Sequence, residues 1–157
     1  RNQEYSSPCD REGNGWSYKY ARRQWNLVDN HELCYHYLGD FDKEMLKTIK
    51  SEKNFNKTPV VEIWHNDGDQ VLAYMRGDLL FVFNFSPTRS FTDYGFLVPT
   101  GAYSVVLDTD NKAFGGNGLN DDEMTHITTY DPVYVNDRKE WLKLYLPARS
   151  ALVLKKN

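Results

Sequence analysis

Cysteine is scarce in this sequence: Cys9 and Cys34 are the only two among 157 residues. Two are too few for a disulfide framework, and reduced thiols inside a cell are the expected state. No apolar run approaches the roughly 20 residues of a membrane span, so a helical membrane protein is excluded from the reading. No basic-then-apolar leader opens the chain, which sets a cytoplasmic location as the expectation. Internal repeats and low-complexity tracts are missing as well. A net charge of −3 supplies no electrostatic pull toward nucleic acid or an anionic membrane, and neither is expected as a partner. The first residue is Arg rather than Met, which suggests a fragment or processed piece of a longer polypeptide.

Aromatic residues, by contrast, are abundant, with 11 Tyr, 8 Phe and 4 Trp. That supply suits either a β-rich core or a surface that stacks on flat ligands. Arg1–Asp10 is polar and without period, and reads as an irregular lead-in. Arg11–Asn30 opens on the turn Gly13-Asn14-Gly15 and continues with helical spacing. At about 100° per residue, Tyr18, Ala21, Trp25 and Val28 form one apolar stripe, and Trp16, Tyr20 and Leu27 a second. A helix apolar over more than half its circumference is built to lie between two bodies. Asp29-Asn30 then stops it and caps the next turn. His31–Tyr37 is expected as a short helix ended by Gly39, and Asp40 as the cap of another over Phe41–Lys50. In this last helix Phe41, Met45, Leu46 and Ile49 share a face.

Beyond the polar stretch ending at Pro59 the pattern changes to strands. Val60–Trp64 and Gln70–Arg76 flank Asn66-Asp67-Gly68-Asp69, a hairpin signal, and Gly77-Asp78 turns the chain again. Leu79–Phe85 is apolar on both faces and reads as a central strand. Asp93–Val98, Tyr103–Asp108, Thr125–Tyr130, Trp141–Leu146 and Ala151–Leu154 complete a set of about eight. The fold expected is mainly β: an antiparallel β-sandwich of Greek-key type, preceded by two or three short α-helices. The divisions expected are a lead-in over 1–10, a helical segment over 11–58 and a sandwich over 59–157.

Motifs that could carry chemistry are few. His31, Glu32 and His36 suggest a zinc helix, but ligating histidines in that motif are four apart and here they are five apart. Asp108-Thr109-Asp110-Asn111 has the flavour of a calcium loop without the required glycine and final glutamate. A loop of turn formers is the better reading, and no metal is expected. Asn56-Lys57-Thr58 and Asn84-Phe85-Ser86 match the glycosylation pattern by chance if the chain is not secreted. Gly115-Gly116-Asn117-Gly118 lacks the Lys-Ser/Thr of a phosphate loop and reads as a bend in a long loop. No nucleophile elbow is present, and the acidic run Asp121, Asp122 and Glu123 does not declare a catalytic pair. Trp64 and Trp141 alternate with Ile63 and Leu142, so each could face outward and stack on a sugar ring. Burial is the commoner fate of Trp, and Trp25 is read as core.

Several ordered blocks carry a resemblance. Arg11-Glu12-Gly13-Asn14-Gly15-Trp16-Ser17-Tyr18, Ala21-Arg22-Arg23-Gln24-Trp25 and Leu38-Gly39-Asp40-Phe41-Asp42 resemble the glycogen (1,4-alpha-glucan) branching enzymes of the alpha-amylase superfamily. So do Asp78–Phe85, Tyr103–Asp110, Phe114-Gly115-Gly116 and Leu146–Ala151. The resemblance implies the last helices of a catalytic (β/α)8 barrel followed by the C-terminal β-sandwich. A whole barrel takes about 250 residues, more than this chain has. The family's catalytic Asp, Glu and Asp would lie upstream, so no residue here is carried over as catalytic and no cofactor is implied. The two-sided helix would brace the barrel, with its loop at the rim of the glucan cleft. Arg11, Asn14 and Trp16 are the residues implied for glucan contact. The partners implied are the barrel and an α-glucan, with dimerisation through the exposed helix face as a further expectation. Two alternatives stay open: a freestanding glycogen- or starch-binding module, and the tail of a debranching or amylase-type hydrolase.

Overall fold

The computed structural model describes residues 25–130 and 139–157. The chain divides into two compact units, Arg1–His36 and Tyr37–Asn157. The expected lead-in, most of the helix expected over Arg11–Asn30, and Cys9 lie outside the described residues, as does the side chain of Trp25.

In the first unit a 3-10 turn spans Trp25–Leu27. The Asn30 carbonyl then accepts from the Leu33 N–H at 3.1 Å, and its side chain accepts from the Glu32 N–H at 3.0 Å. Asn30 therefore caps as expected, but the helix expected over His31–Tyr37 is replaced by turns over 31–34. Cys34, expected on a helix, is an exposed free thiol in that turn. One helix, α1, runs over Tyr35–Ser51 without a break at Gly39 or a start at Asp40. Glycine inside a helix costs only about 1 kcal/mol. Packing of Phe41 and Met45 against buried Leu79, Leu107 and Val153 outweighs it.

The second unit carries β1 (Val60–Asn66), β2 (Val71–Arg76), β3 (Leu79–Asn84), β4 (Phe91–Phe96) and β5 (Ala102–Asp108). It continues with β6 (Thr125–Ile127), β7 (Thr129–Tyr130), β8 (Glu140–Leu146) and β9 (Ser150–Lys156). They form two antiparallel sheets, ordered β1-β2-β3-β9-β5-β6 and β4-β8-β7. The expected β-fold is thus present, with β3 inside the larger sheet. The strand expected over Thr125–Tyr130 divides at Thr128. That residue is buried, accepts from the Gly101 N–H at 3.0 Å and donates to Glu140 Oε2 at 2.7 Å. Its hydroxyl marks the step from the larger sheet to the smaller.

Alternating residues of both sheets meet in one core: Val71, Ala73 and Met75 from β2, Leu80 and Val82 from β3, and Leu142, Leu144 and Leu146 from β8. Tyr103 is fully buried there, and its hydroxyl donates to the Pro99 carbonyl at 2.6 Å, four residues upstream. Buried Asn84 fixes the break after β3. Its amide nitrogen reaches the carbonyls of Arg89, Leu146 and Pro147, and its oxygen accepts from Ser86 N. Gly77 takes φ 63° at the first position of the β2–β3 turn, where a side chain would be strained.

The outer face of the larger sheet is aromatic. Tyr74 stacks on Phe81 with centroids 4.8 Å apart and on Phe83 at 5.9 Å, and Phe83 stacks on Phe85 at 5.6 Å. Phe81 joins the cluster packed with α1, whereas Phe85 is 61% exposed. The sequence pattern of an apolar outer face is therefore only half covered.

Candidate functional site

Edge strands β1 and β4 belong to different sheets, and between them lies a cleft of about 400 Å³. Trp64, Phe91, Tyr94 and Trp141 line it with Asn66, Asp69, Thr92, Asp93 and Gly95. That volume falls within the roughly 300–1,000 Å³ typical of small-ligand sites. Each strand carries an irregularity at the cleft. In β1 the register shifts between Glu62 and Trp64, so Trp64 stands opposite Ala73, on the side that faces the core. In β4 the shift lies between Phe91 and Tyr94, and Asp93 takes φ 53°, a strained value for a residue with a side chain. Bulges of this kind re-aim side chains, and they concentrate beside functional sites.

Trp64 stays 45% exposed but is fixed in place. Its indole N–H donates to the Tyr94 hydroxyl at 3.1 Å, and that hydroxyl donates to Asp69 Oδ2 at 3.1 Å. Arg89 donates to Asp69 Oδ1 at 2.9 Å and to the Gly68 carbonyl at 3.1 Å, with its guanidinium 4.9 Å from the Phe91 ring centre. Burial pushes the Tyr94 hydroxyl above its ordinary range; the indole donation opposes this and Asp69 adds to it. Trp141 alternates with buried Leu142 and lies over Gly95, where an added Cβ would meet its ring at 3.4 Å. Both oxygens of Asp69 are engaged within the network. The arrangement suits binding of a flat, hydroxyl-bearing ligand rather than proton transfer.

A second concavity, of about 180 Å³, lies between α1 and the loop after β5, lined among others by Glu44, Val106, Asp108, Phe114 and Asp122. Most of its polar groups serve the chain itself, Asn111 Nδ2 donating to Asp122 Oδ2, while Asp122 Oδ1 is buried without a hydrogen-bond partner among the described residues. Asp108 accepts from Asp110 N at 2.7 Å and Asn120 Nδ2 at 3.2 Å. Asp110 accepts from Asn117 N, Asn117 Nδ2 and Leu119 N, at 3.0, 3.2 and 3.0 Å. Burial raises the Asp108 carboxyl to about 6, and Asp122 and Asp110 push the same way against its hydrogen bonds. Gly115 and Gly118 take φ 79° and 67°, and a Cβ on Gly116 would lie 2.1 Å from the Asp110 carbonyl oxygen. The glycines therefore bend the long loop, as expected, around Asp110.

Arg11, Asn14 and Trp16 lie outside the described residues. His31 and His36 meet edge to face with centroids 5.4 Å apart, and His36 Nδ1 lies 2.6 Å from the Leu33 carbonyl oxygen. Among the described residues no group of three or more His, Cys, Asp or Glu is placed to hold a metal. No helix among them is long and apolar enough to cross a membrane. Asn84 is only 2% exposed, so its glycosylation pattern is not usable in the folded chain. The juxtaposition of Trp64 with Trp141 was not readable from the sequence. The one signal that held was the alternation of Trp141 with Leu142; the outward orientation expected for Trp64 is overturned by the bulge, which sets it on the core-facing side of β1.

Comparison with known proteins adds a family. The model described as alpha amylase, C-terminal all-beta domain, matches residues 63–157. A 1,4-alpha-glucan-branching enzyme of Emericella nidulans is 46% identical over 146 residues, 92% of this chain and 21% of that protein. Those of Aspergillus oryzae and Saccharomyces cerevisiae are 43% and 41% identical, over 92% and 90% of this chain and 21% and 20% of theirs. The chain thus spans about a fifth of the length of the curated relatives it matches.

Proposed function

The chain belongs to the alpha amylase C-terminal all-beta domain family, and from that premise we propose that it is the C-terminal, non-catalytic portion of a cytoplasmic 1,4-alpha-glucan-branching enzyme. The observation that carries this is 46% identity across nearly the whole chain to only a fifth of such an enzyme. The longer enzyme would cut an α-1,4 glucan and pass the released chain to a 6-hydroxyl through a covalent glycosyl intermediate, without a cofactor. Residues 11–58 would complete its barrel, with Arg11, Asn14 and Trp16 at the rim of the glucan cleft, and 59–157 would brace it. The half-covered aromatic face supports a bracing role, because Tyr74, Phe83 and Phe85 offer a stacked apolar surface with room for a partner.

Iodine staining of amylose tests the proposal. Branching is expected from a polypeptide that carries the catalytic barrel ahead of Arg1, and not from these 157 residues alone. Branching by the 157 residues alone would overturn it. In isolation the unpaired apolar face of the helix expected over Arg11–Asn30 would favour dimers, which light scattering would detect and a clean monomer would contradict.

A further inference from the structure

We infer that the cleft between β1 and β4 is a binding subsite for a neutral α-1,4-linked glucan chain, held against Trp64 and Trp141. The α-glucan class rests on the branching-enzyme reading; the rest follows from the site. A pyranose ring offers an apolar C–H face and a rim of hydroxyls. It therefore wants a flat aromatic face bordered by hydrogen-bonding groups. The cleft supplies Trp64 and Trp141 bordered by Asn66, Thr92 and Asp93. Its lining includes carboxylates and no Lys or Arg, and Arg89 is turned to Asp69 and Gly68. Phosphates and nucleic acid are therefore poor occupants, whereas hydroxyl donors are suitable ones. Trp64 does not need to be ordered on binding, because the chain of hydrogen bonds through Tyr94 to Asp69 already fixes it. Gly95, having no side chain, lets the Trp141 ring lie directly against β4.

The placement of the two rings also sets the ligand's shape. Trp64 lies on the core-facing side of β1, and Trp141 on the outer side of the smaller sheet, so a chain touching both must curve over β4. An α-1,4 glucan curves in this way, while a β-1,4 glucan is straight and prefers coplanar aromatics.

The test is a titration of the 157-residue chain with maltoheptaose, read by tryptophan fluorescence, beside electrophoresis in gels containing glycogen. Binding is expected, with affinity reduced roughly tenfold in Trp64→Ala and in Trp141→Ala, a size that follows from losing one aromatic contact. Leu119→Ala, in the exposed loop after β5, should bind as the unaltered chain does. If either alanine variant fails to fold, Gly95→Val, which keeps both tryptophans but pushes the Trp141 ring off β4, should weaken binding similarly. Absence of binding, unaltered affinity in a folded Trp64 or Trp141 variant, equal binding of cellohexaose, or competition by tetramethylammonium would each overturn the proposal. Loss of the subsite in an enzyme that still branches amylose would leave the branching reading standing. Binding without any branching by the longer polypeptide would do the reverse.

Discussion

Two concavities in the sandwich unit hold carboxylates, and they differ in what those carboxylates do. In the loop beside the smaller one both Asp110 oxygens accept from the chain itself and Asp108 closes the base of that loop, with Asp122 Oδ1 the one buried oxygen there without a partner among the described residues. Between β1 and β4 only Asp69 is so committed, while Asp93 and Thr92 are exposed at a bulge beside two tryptophans. Acidic residues close in sequence proved to be loop architecture. Hydrogen-bonding capacity left over, next to a fixed aromatic face, marks the better candidate for a ligand. Density of chemistry-bearing residues is thus a weaker guide than whether their partners lie within the chain.

This contrast can be broken by substitution. The largest effect should come from Asp110→Ala, which strands the N–H groups of Asn117 and Leu119. A stability loss of about 3 kcal/mol in urea unfolding is expected, with maltoheptaose affinity unchanged in the folded fraction. A loss below 1 kcal/mol would show that the loop does not depend on this residue.

Asp108 should give a smaller, pH-dependent effect. Its carboxyl titrates near 6 in the fold against 3.8 ordinarily, so the folded state holds the proton more tightly. Stability from this group is therefore present at low pH and is lost as pH rises from about 4 to 6, by about 2 kcal/mol. Relative to the unaltered chain, Asp108→Asn should gain stability across that window and show no further change above it. A flat difference curve would mean that Asp108 is not buried as described. Smallest of all, Trp64→Ala should alter stability by about 1 kcal/mol or less, because the ring is half exposed, while its effect falls on glucan binding. A large loss of stability would make Trp64 a core residue and remove the contrast between the two concavities.

The strands were legible because turn chemistry punctuates them: Gly77-Asp78 and Asn66–Asp69 sit where the chain reverses. Helix boundaries were not. Gly39 looks like a stop, but the contacts that carry α1 through it come from Leu79, Leu107 and Val153, far along the chain. The cleft was legible only in its parts. A bulge is defined by the partner strand, so no local pattern reveals that Trp64 stands opposite Ala73 or that Asp93 is displaced. Arg11, Asn14 and Trp16 were expected at a glucan rim from resemblance alone, and the described residues do not include them.

Tryptophan indole N–H signals, followed by nuclear magnetic resonance during a maltoheptaose titration, address the β1–β4 cleft residue by residue. The four tryptophans give separable probes, and Trp64 carries its N–H on the Tyr94 hydroxyl. Saturable shifts at Trp64 and Trp141, with Trp25 unmoved, are the predicted result. Shifts confined to Trp16, or none at all, would contradict it.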